Sequence, residues 1–420
     1  MSGTRLATTA GAATDEVVRK QHLIDPETCI RCNTCQSRCP TGAITHNADN
    51  YVVDPALCTF CMACNRPCPT GAIDNWFFVT RFYTVEEQFR WQELPPKLSH
   101  PDPRAAQAVP EALDDEALAL LDAAHRGTGG RARAPASASK PQINAFNRAN
   151  PAVATVSGTL RVTAEGAESD VRHVILDFGT VPFPYLEGQS VGVVPPGRGP
   201  DGKPHAMRLY SVSSARDGER PNTNNLALTV KRIPPHRGED GEMRGVASNW
   251  LCDLRQGDRV EVTGPYGATF LMPEDPDADL LMICTGTGVA PFRGFTHRRR
   301  RAAPNARGKL HLMFGARSPE ELPFFGPLQK YQRSQLDCDL VYSRVFGSPK
   351  EYVQDRLRAR AADVADLLRR DAAHVYICGL SGLEQGVEQA LGDIGRDHGI
   401  DWPAVRARMR EEGRFHVETY

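Results

Sequence analysis

The chain has 420 residues and a mass of 46.1 kDa, more than a single hydrophobic core accommodates, so we expect two or three domains. Its formal net charge is −1 and its pI is about 6.9, which gives no electrostatic reason to expect a nucleic acid or an anionic membrane as a partner. No apolar run approaches the roughly 18 residues of a membrane helix, and residues 1–20 lack the apolar core of an export signal. We therefore expect a soluble, cytoplasmic protein with a flexible N-terminus over residues 1–20.

Eight of the twelve cysteines lie in two copies of one pattern near the N-terminus. Residues 29–44 read CIRCNTCQSRCPTGAI, and residues 58–73 read CTFCMACNRPCPTGAI. In each copy three cysteines recur at every third position, and a fourth follows with a proline behind it. This spacing is typical of bacterial ferredoxins with two [4Fe–4S] clusters. Structural zinc is the alternative, but zinc sites usually separate two cysteine pairs by a dozen or more residues.

The fourth cysteine of each copy is expected to bind the cluster of the other copy. A tight loop can reach three neighbouring corners of a cubane, so the fourth corner must be met from elsewhere in the chain. We therefore predict a ferredoxin domain over residues 21–79 with two complete clusters. The first set of ligands is Cys29, Cys32, Cys35 and Cys68, and the second set is Cys58, Cys61, Cys64 and Cys39.

Residues 80–150 change in composition and are rich in alanine, proline, arginine and glycine. Only the segment PEALDDEALALLDAAH, residues 110–125, has helical periodicity, with Pro110 at its start and Gly127 just beyond its end. The segment is predicted to be a linker with one short helix, and the remainder of it to be flexible and in part disordered.

Two further domains are predicted after the linker. Short alternating segments such as TLRVTAE, HVILDFG and DRVEVTG, separated by glycine, proline and aspartate, indicate an antiparallel β-barrel over residues 151–273. From residue 274, buried strand segments such as LLMIC and HVYIC alternate with helical stretches. That alternation predicts a doubly wound parallel α/β domain over residues 274–420. The whole chain is thus a multidomain α+β and α/β protein.

Four motifs of these two domains suit a nucleotide and a flat ring. RLYS, residues 208–211, combines an arginine for a phosphate with an aromatic ring and a hydroxyl, and GVAS, residues 245–248, opens a helix whose N–H groups could hold a pyrophosphate. TGTG, residues 285–288, lies between a buried strand and a helix, where its glycines let a dinucleotide approach the backbone. Segment 341–354, VYSRVFGSPKEYVQ, offers cations for a 2′-phosphate, which favours NADP over NAD.

Residues 151–420 resemble the plant-type ferredoxin–NADP reductase family. Seven motifs occur in the family order: RLYS, GVASNWLCDL, GPYG, GTGVAPFR, YSR…KEYVQ, YICGL and the final VETY. The resemblance implies FAD in the barrel and NADP(H) in the α/β domain. The residues it places against FAD are Arg208, Leu209, Tyr210, Ser211, Gly245, Val246, Ala247, Ser248 and Tyr420. Those it places against NADP(H) are Thr285, Gly286, Thr287, Gly288, Ser343, Arg344, Lys350 and Tyr352.

The same resemblance implies a catalytic group of four residues, Ser211, Cys378, Glu418 and Tyr420. The first three would lie beside the nicotinamide and flavin rings, and Tyr420 would cover the flavin and swing aside for hydride transfer. A turn hydroxyl and a buried strand cysteine are the plainer interpretations of Ser211 and Cys378, but the ordered motifs favour catalysis. One departure concerns the FAD adenine, because the segment after LALTVKRI offers only His236 where the family often has an aromatic ring.

The ferredoxin and reductase segments together resemble the reductases that serve the benzoyl-CoA 2,3-epoxidase, on HLIDPETCIRCNTC, AITHNADNYVVDPALC and CPTGAIDNW. This implies that electrons pass from NADPH through FAD and the clusters to a separate oxygenase. Two alternatives stay open: a reductase running in reverse, which forms NADPH from low-potential clusters, and a passive iron–sulfur relay subunit of a larger complex. The basic run HRRRR, residues 297–301, is more often a solvated face than a docking surface.

Overall fold

A computed structural model describes residues 19–95, 115–124 and 132–420, with gaps at 60, 62, 65–67, 69, 71, 74, 80, 200–201, 235, 239–240 and 244. The chain divides into two compact units, Met1–Ala108 and Val109–Tyr420. Residues 1–18 of the predicted N-terminal segment, and residues 96–114 and 125–131 of the predicted linker, lie outside the described residues. In the described part of the chain, no helix is long and apolar enough to cross a membrane.

The first unit consists of short antiparallel strand pairs. β1 pairs with β4 and β2 pairs with β3, so that each sheet has two strands. The side chain of Thr84 accepts a hydrogen bond from Glu87 N–H, and the Glu87 carboxylate accepts one from Thr84 N–H, which caps the second helix. The elements are β1 (Arg19–Leu23), α1 (Thr34–Arg38), β2 (Ile44–His46), β3 (Tyr51–Val53), β4 (Asn75–Val79) and α2 (Val85–Gln88).

The core of the first unit follows the sequence duplication. Eight of the nine buried residues described in this core form pairs that are 29 positions apart, the offset of the two cysteine patterns, and Tyr51 is the ninth. Because equivalent side chains of both copies enter one core, neither copy buries its apolar face alone. The pairs are Ile24 with Val53, Cys35 with Cys64, Ala43 with Ala72, and Ile44 with Ile73.

Two described pieces of the predicted linker pack on the second unit. Helix α3 (Asp115–Ala124) contributes Ala117 to a small cluster with the buried Met207 and Tyr266. Further along the chain, Phe146 N–H donates to the Gly264 carbonyl at 2.9 Å, and Gly264 N–H donates back at 2.7 Å. Residues 132–150 are therefore attached to the second unit in the structure, while the domain limits given above stay predictions.

The first half of the second unit is a six-stranded antiparallel sheet with the order β8-β7-β12-β5-β6-β9. A bridge between Val212 and Leu228 joins its two edges, which closes the sheet into a barrel. The strands are β5 (Ala152–Arg161), β6 (Val171–Asp177), β7 (Ser190–Val193), β8 (Arg208–Ser211), β9 (Asn225–Lys231) and β12 (Arg259–Tyr266). A hairpin of β10 (His236–Gly238) and β11 (Gly241–Met243) and the helix α4 (Val246–Asp253) lie between β9 and β12 in the chain.

The second half is a five-stranded parallel sheet with the order β15-β14-β13-β16-β17. The chain builds outward from β13 on one side and then returns to β16 on the other side, so the order reverses between these two strands. The strands are β13 (Asp279–Thr285), β14 (Leu310–Ala316), β15 (Asp337–Tyr342), β16 (Ala373–Gly379) and β17 (Phe415–Thr419). The helices are α5 (Val289–Ala302), α6 (Phe325–Gln329), α7 (Val353–Ala359), α8 (Ala361–Leu368), α9 (Leu383–His398) and α10 (Trp402–Glu411).

The antiparallel barrel and the parallel α/β sheet confirm the predicted fold class of this unit. The parallel strands are buried as continuous apolar runs, as expected of a sheet that is covered on both faces. Ligands of such sheets bind outside the carboxyl ends of the strands where the order reverses. For this chain, that place is the end of β13 and β16.

Candidate active site and iron–sulfur ligands

The cysteines of the two copies come together in crossed sets. Burial, followed by the charges of Cys29 and Cys68, raises the pKa of Cys35 to about 11. Burial, followed by the charges of Cys58, Cys39 and Cys61, raises the pKa of Cys64 to about 12. Each buried thiol thus has the fourth cysteine of the other copy as a neighbour, which is the arrangement that the spacing predicts.

A narrow cavity is enclosed by the four cysteines of the first set. Its other walls are mostly apolar and include Ile24, Ile30, Tyr51 and Ile73. Four thiol ligands around a small apolar space fit a [4Fe–4S] cluster.

The predicted flavin strand β8 is paired with β7 at the edge of the barrel. Tyr210 is opposite Val191 and packs against the barrel core, and burial raises the pKa of its hydroxyl. Arg208, two residues earlier, is exposed at the rim and donates to the Met207 carbonyl at 2.8 Å. An inward ring and an outward guanidinium suit a flavin whose phosphates lie at the rim.

The predicted pyrophosphate loop opens helix α4. Gly245 occupies the N-cap position, and in the described part of the chain no side chain caps this helix. A Cβ atom at Gly245 would lie 2.8 Å from the Cβ of Ile233, so the loop needs glycine here. The helix start is thereby left open to an anion, as the GVAS motif predicts. The side chain of His236, the one ring that the segment after β9 offers near the FAD adenine, lies outside the described side chains.

Three of the four predicted catalytic residues meet between the barrel and the parallel sheet. Cys378 on β16 is directly opposite Glu418 on β17. The Glu418 carboxylate lies 3.5 Å from the hydroxyl of Ser190, which lies 3.5 Å from the hydroxyl of Ser211. Burial raises the pKa of Glu418 to about 7, against the opposite effect of hydrogen bonds from both serines. A carboxyl group that changes protonation near neutral pH therefore lies at this junction.

The fourth residue, Tyr420, closes this junction from the nucleotide side. Its hydroxyl is 2.6 Å from Thr287 Oγ1, and its backbone N–H donates to the Gly379 carbonyl at 3.1 Å. The residue is 53% exposed, unlike the buried Cys378 and Glu418. Tyr420 thus contacts the predicted NADP loop through one hydroxyl contact that the ring can break.

The glycine loop is packed tightly against β16. A Cβ atom at Gly288 would lie 2.1 Å from the carbonyl oxygen of Cys378. Gly286 has a φ of 56°, in the left-handed region that glycine adopts without cost. The loop therefore needs both glycines, one for its turn and one for its contact with β16.

A cavity of about 340 Å³ adjoins this loop. Five predicted NADP residues line it: Thr285, Gly286, Thr287, Ser343 and Tyr352. Arg344 and Lys350 lie on the exposed loop after β15, outside the cavity wall. Two basic residues that the sequence analysis missed also line it, Arg317 and Lys231. Arg317 follows directly after β14, so its place at a strand carboxyl end could have been recognised from the sequence.

The sequence analysis also missed Ser190, which lies between Ser211 and Glu418. Its position depends on the register of β7 against β8, where Ser190 is opposite Ser211. No motif spacing reveals such a pairing, because the two residues are separated by a long loop.

The basic run at residues 297–301 belongs mainly to the fold. Arg299 is only 6% exposed and donates to four backbone carbonyl oxygens around residues 275–278 and 308. Arg301 pairs with Asp217 at 2.7 Å, and Arg298 pairs with Glu274 at 3.2 Å. The expectation of a solvated face is therefore wrong for these arginines.

Comparison with known proteins agrees with this geometry. The 4Fe-4S binding domain family matches residues 22–45 and 51–74, and the oxidoreductase NAD-binding domain family matches residues 282–389. The cyanelle ferredoxin–NADP reductase of Cyanophora paradoxa is 38% identical over 288 residues, which cover 66% of this chain and 79% of that protein. The chain belongs to the ferredoxin–NADP reductase family. As a ferredoxin–NADP reductase with a fused 4Fe–4S module, it is an NADP-dependent oxidoreductase with FAD and NADP(H) as cofactors.

Other members of the ferredoxin–NADP reductase family match the same two thirds of the chain. The chloroplastic enzyme of Spinacia oleracea is 32% identical over 288 residues, covering 66% of this chain and 78% of that protein. The solved structure of ferredoxin–NADP⁺ reductase from Plasmodium falciparum superposes with a TM-score of 0.52 at 24% identity, over 66% of this chain and 99% of that one. The structural match supports the barrel and α/β fold of the second unit.

Replacing Gly288 with alanine should impair NADPH oxidation. The new Cβ atom would push against the Cys378 carbonyl and displace the end of β16, so we expect kcat/KM for NADPH with ferricyanide to fall roughly 10- to 100-fold. Gly326→Ala on α6 is the matched control, because a Cβ atom there meets nothing within 4 Å. Equal activity of the two variants would contradict the close packing.

Glu418 should make the stability of the chain depend on pH. Its pKa in the folded protein is about 7, against 4.5 for an ordinary glutamate, so folding holds a proton that the unfolded chain releases. The free energy of unfolding should therefore fall as pH rises from 5 to 7, by at most about 1.4 kcal/mol per pH unit relative to Glu418→Gln. Urea unfolding at several pH values measures this slope. The exposed Glu165→Gln variant should keep the wild-type slope, and a wild-type slope in Glu418→Gln would exclude this carboxyl as its source.

Proposed function

We propose that the chain takes hydride from NADPH onto FAD and passes single electrons through two [4Fe–4S] clusters to a separate oxygenase. By resemblance, that oxygenase is the benzoyl-CoA 2,3-epoxidase of aerobic benzoate degradation. The observation that carries the proposal is the occurrence, in one chain, of two crossed cysteine sets and of the Ser211–Ser190–Glu418 contact beside Cys378. Bound FAD would supply the step that accepts two electrons together and returns them one at a time.

The residues of the junction have separate tasks in this proposal. Tyr210 would cover one face of the flavin ring, and Tyr420 would leave the other face when its contact with Thr287 breaks. Burial on β16 and β17 keeps water from Cys378 and Glu418, so the reacting rings meet in a dry space. Glu418 can hold or release a proton near neutral pH at the serine hydroxyls.

The choice of NADP over NAD follows from the charges around the nucleotide cavity. Two carboxylates line it, but Glu321 accepts a hydrogen bond from Ser169 N–H at 3.0 Å and Glu351 pairs with Arg356 at 2.7 Å. Basic groups for a 2′-phosphate are Lys231 in the wall, the exposed Arg344 on the loop after β15, and Arg317 in the wall, which also pairs with Glu168 at 2.9 Å. The Plasmodium falciparum reductase, whose solved structures include one with 2′P-AMP, supports this preference.

Neutralising the loop cations should weaken NADPH use selectively. For the double variant Arg344→Gln with Lys350→Gln, we expect KM for NADPH to rise roughly 10- to 100-fold, since hydrogen bonds to a charged group contribute about 1.5–3 kcal/mol each. The kcat/KM for NADH, which lacks the 2′-phosphate, should stay unchanged. Lys330→Gln, an exposed lysine after α6, is the control. Equal losses for both nucleotides would contradict a 2′-phosphate contact.

An anaerobic NADPH titration of the purified chain tests the direction of electron flow. Flavin is followed by absorbance, and the clusters are followed by low-temperature EPR. We expect the flavin to bleach first and reduced-cluster signals to follow, because electrons enter as hydride and leave singly. A bleached flavin with silent clusters would favour the reverse reaction, and an unchanged flavin would favour the passive relay.

The acceptor is tested separately with the benzoyl-CoA epoxidase as partner. The chain with NADPH and the partner should show oxygen uptake that depends on benzoyl-CoA. Absence of uptake, together with normal cluster reduction by NADPH, would overturn the benzoyl-CoA assignment and leave the reductase chemistry standing.

A further inference from the structure

Among the contacts of the described residues, threonine hydroxyls lie beside three cysteines of the two repeated patterns. Hydrogen bonds to the sulfur ligands are among the properties that set the reduction potential of an iron–sulfur cluster. These hydroxyls are therefore candidates for tuning residues. The sulfur–oxygen pairs are Cys32–Thr34 at 3.2 Å, Cys39–Thr41 at 3.6 Å and Cys68–Thr70 at 3.8 Å.

The shortest of the three contacts is absent from the second copy of the pattern. Thr41 and Thr70 are equivalent, since both lie in a CPTGAI segment. Thr34 has Ala63 as its counterpart 29 residues later, and alanine has no hydroxyl to offer. The two copies thus differ chemically at this position.

The crossing of the ligand sets increases the difference. Cys32 and Cys68 both belong to the first set, so the first set has two neighbouring hydroxyls, Thr34 and Thr70. In the described part of the second set, Cys39 has Thr41 at the longer distance of 3.6 Å.

Burial does not separate the two sets. Cys35 and Cys64 are each 7% exposed, and Cys32 and Cys61 are both exposed. A difference in desolvation of the ligands therefore does not offset the difference in hydrogen bonding.

The direction of the effect follows from the charge on sulfur. As a thiol, Cys32 donates to Thr34, but a cluster-bound thiolate can only accept. The Thr34 hydroxyl donates to the Cys32 carbonyl over a long contact of 3.5 Å, and it can turn its hydrogen to the sulfur at 3.2 Å instead. A donated hydrogen bond stabilises negative charge on the sulfur, and reduction adds one negative charge to the cluster. The reduced form gains more than the oxidised form, so the reduction potential rises.

We propose that the Thr34 hydroxyl raises the reduction potential of the cluster held by the first set above that of the cluster held by the second set. The first electron that enters the ferredoxin unit then resides on the first set's cluster. The inference rests on the proposed function, because it requires a [4Fe–4S] cluster in both crossed sets. Thr34 acts through Cys32 and is a positioning residue, not a catalytic one.

The test is EPR-monitored potentiometry on the full chain with its clusters and FAD. Thr34→Val keeps the branched shape without the hydroxyl, and the higher of the two midpoint potentials should shift downward. Thr34→Ser restores a hydroxyl, and its midpoint should return toward the wild-type value. Ala63→Thr adds a hydroxyl to the second copy, and the lower midpoint should shift upward. With limiting dithionite, wild type should show one cluster signal before the other, and Thr34→Val should show both together.

Two results would overturn the inference and are distinct from failure of the proposed function. If Thr34→Val leaves the higher midpoint unchanged, or shifts both midpoints equally, the hydroxyl does not distinguish the clusters. Iron and acid-labile sulfide analysis of each variant shows whether both clusters are present. A wild-type chain that binds no [4Fe–4S] cluster would overturn the proposed function and this inference together. A Thr34→Val variant with both clusters present and unchanged midpoint potentials would overturn the inference alone.

Discussion

The site of the second unit depends on the contact of the glycine loop with the end of β16. The carbonyl of Cys378 occupies the space that a side chain at residue 288 would need, so the loop after β13 lies directly on the end of β16. The contact lies where the strand order reverses, which is the place where ligands of such sheets bind. The nucleotide loop, Cys378 and, one strand further, Glu418 are thereby brought into a single row.

The edge of the barrel meets this row of residues at Glu418. Ser190 and Ser211, on paired strands of the barrel, reach the Glu418 carboxylate on the parallel sheet. The two halves of the unit are thus joined at the Ser190–Glu418 contact. Burying the carboxyl there costs desolvation energy, and the raised pKa of Glu418 shows that the serines offset this cost only in part.

Sequence reasoning succeeded where the chemistry is local in the chain and failed where it depends on pairing. The cysteine spacing predicted which cysteines the structure brings together, and the ordered motifs predicted five of the residues that line the cavity beside the glycine loop, because both follow from short segments with fixed geometry. Ser190 escaped notice because only the β7–β8 register gives it a neighbour in Ser211. The arginines after Thr296 were misjudged for a related reason. Charge runs are usually solvated, but Arg299 points under the loop at residues 275–278, whose backbone carbonyls need donors.

The two copies in the first unit share their core positions but differ at polar positions next to the sulfurs. The shared positions lie at a constant offset, so a change in the core of one copy would disturb the packing of the other. Polar positions next to the sulfurs are free of that constraint, since Thr34 is only partly buried and Ala63 is exposed. A hydroxyl gained or lost there alters the electrostatics of one ligand and leaves the shared core unchanged. In an electron-transfer chain, where order along the path depends on relative potentials, such positions are the ones at which duplicated clusters can differ without loss of the fold.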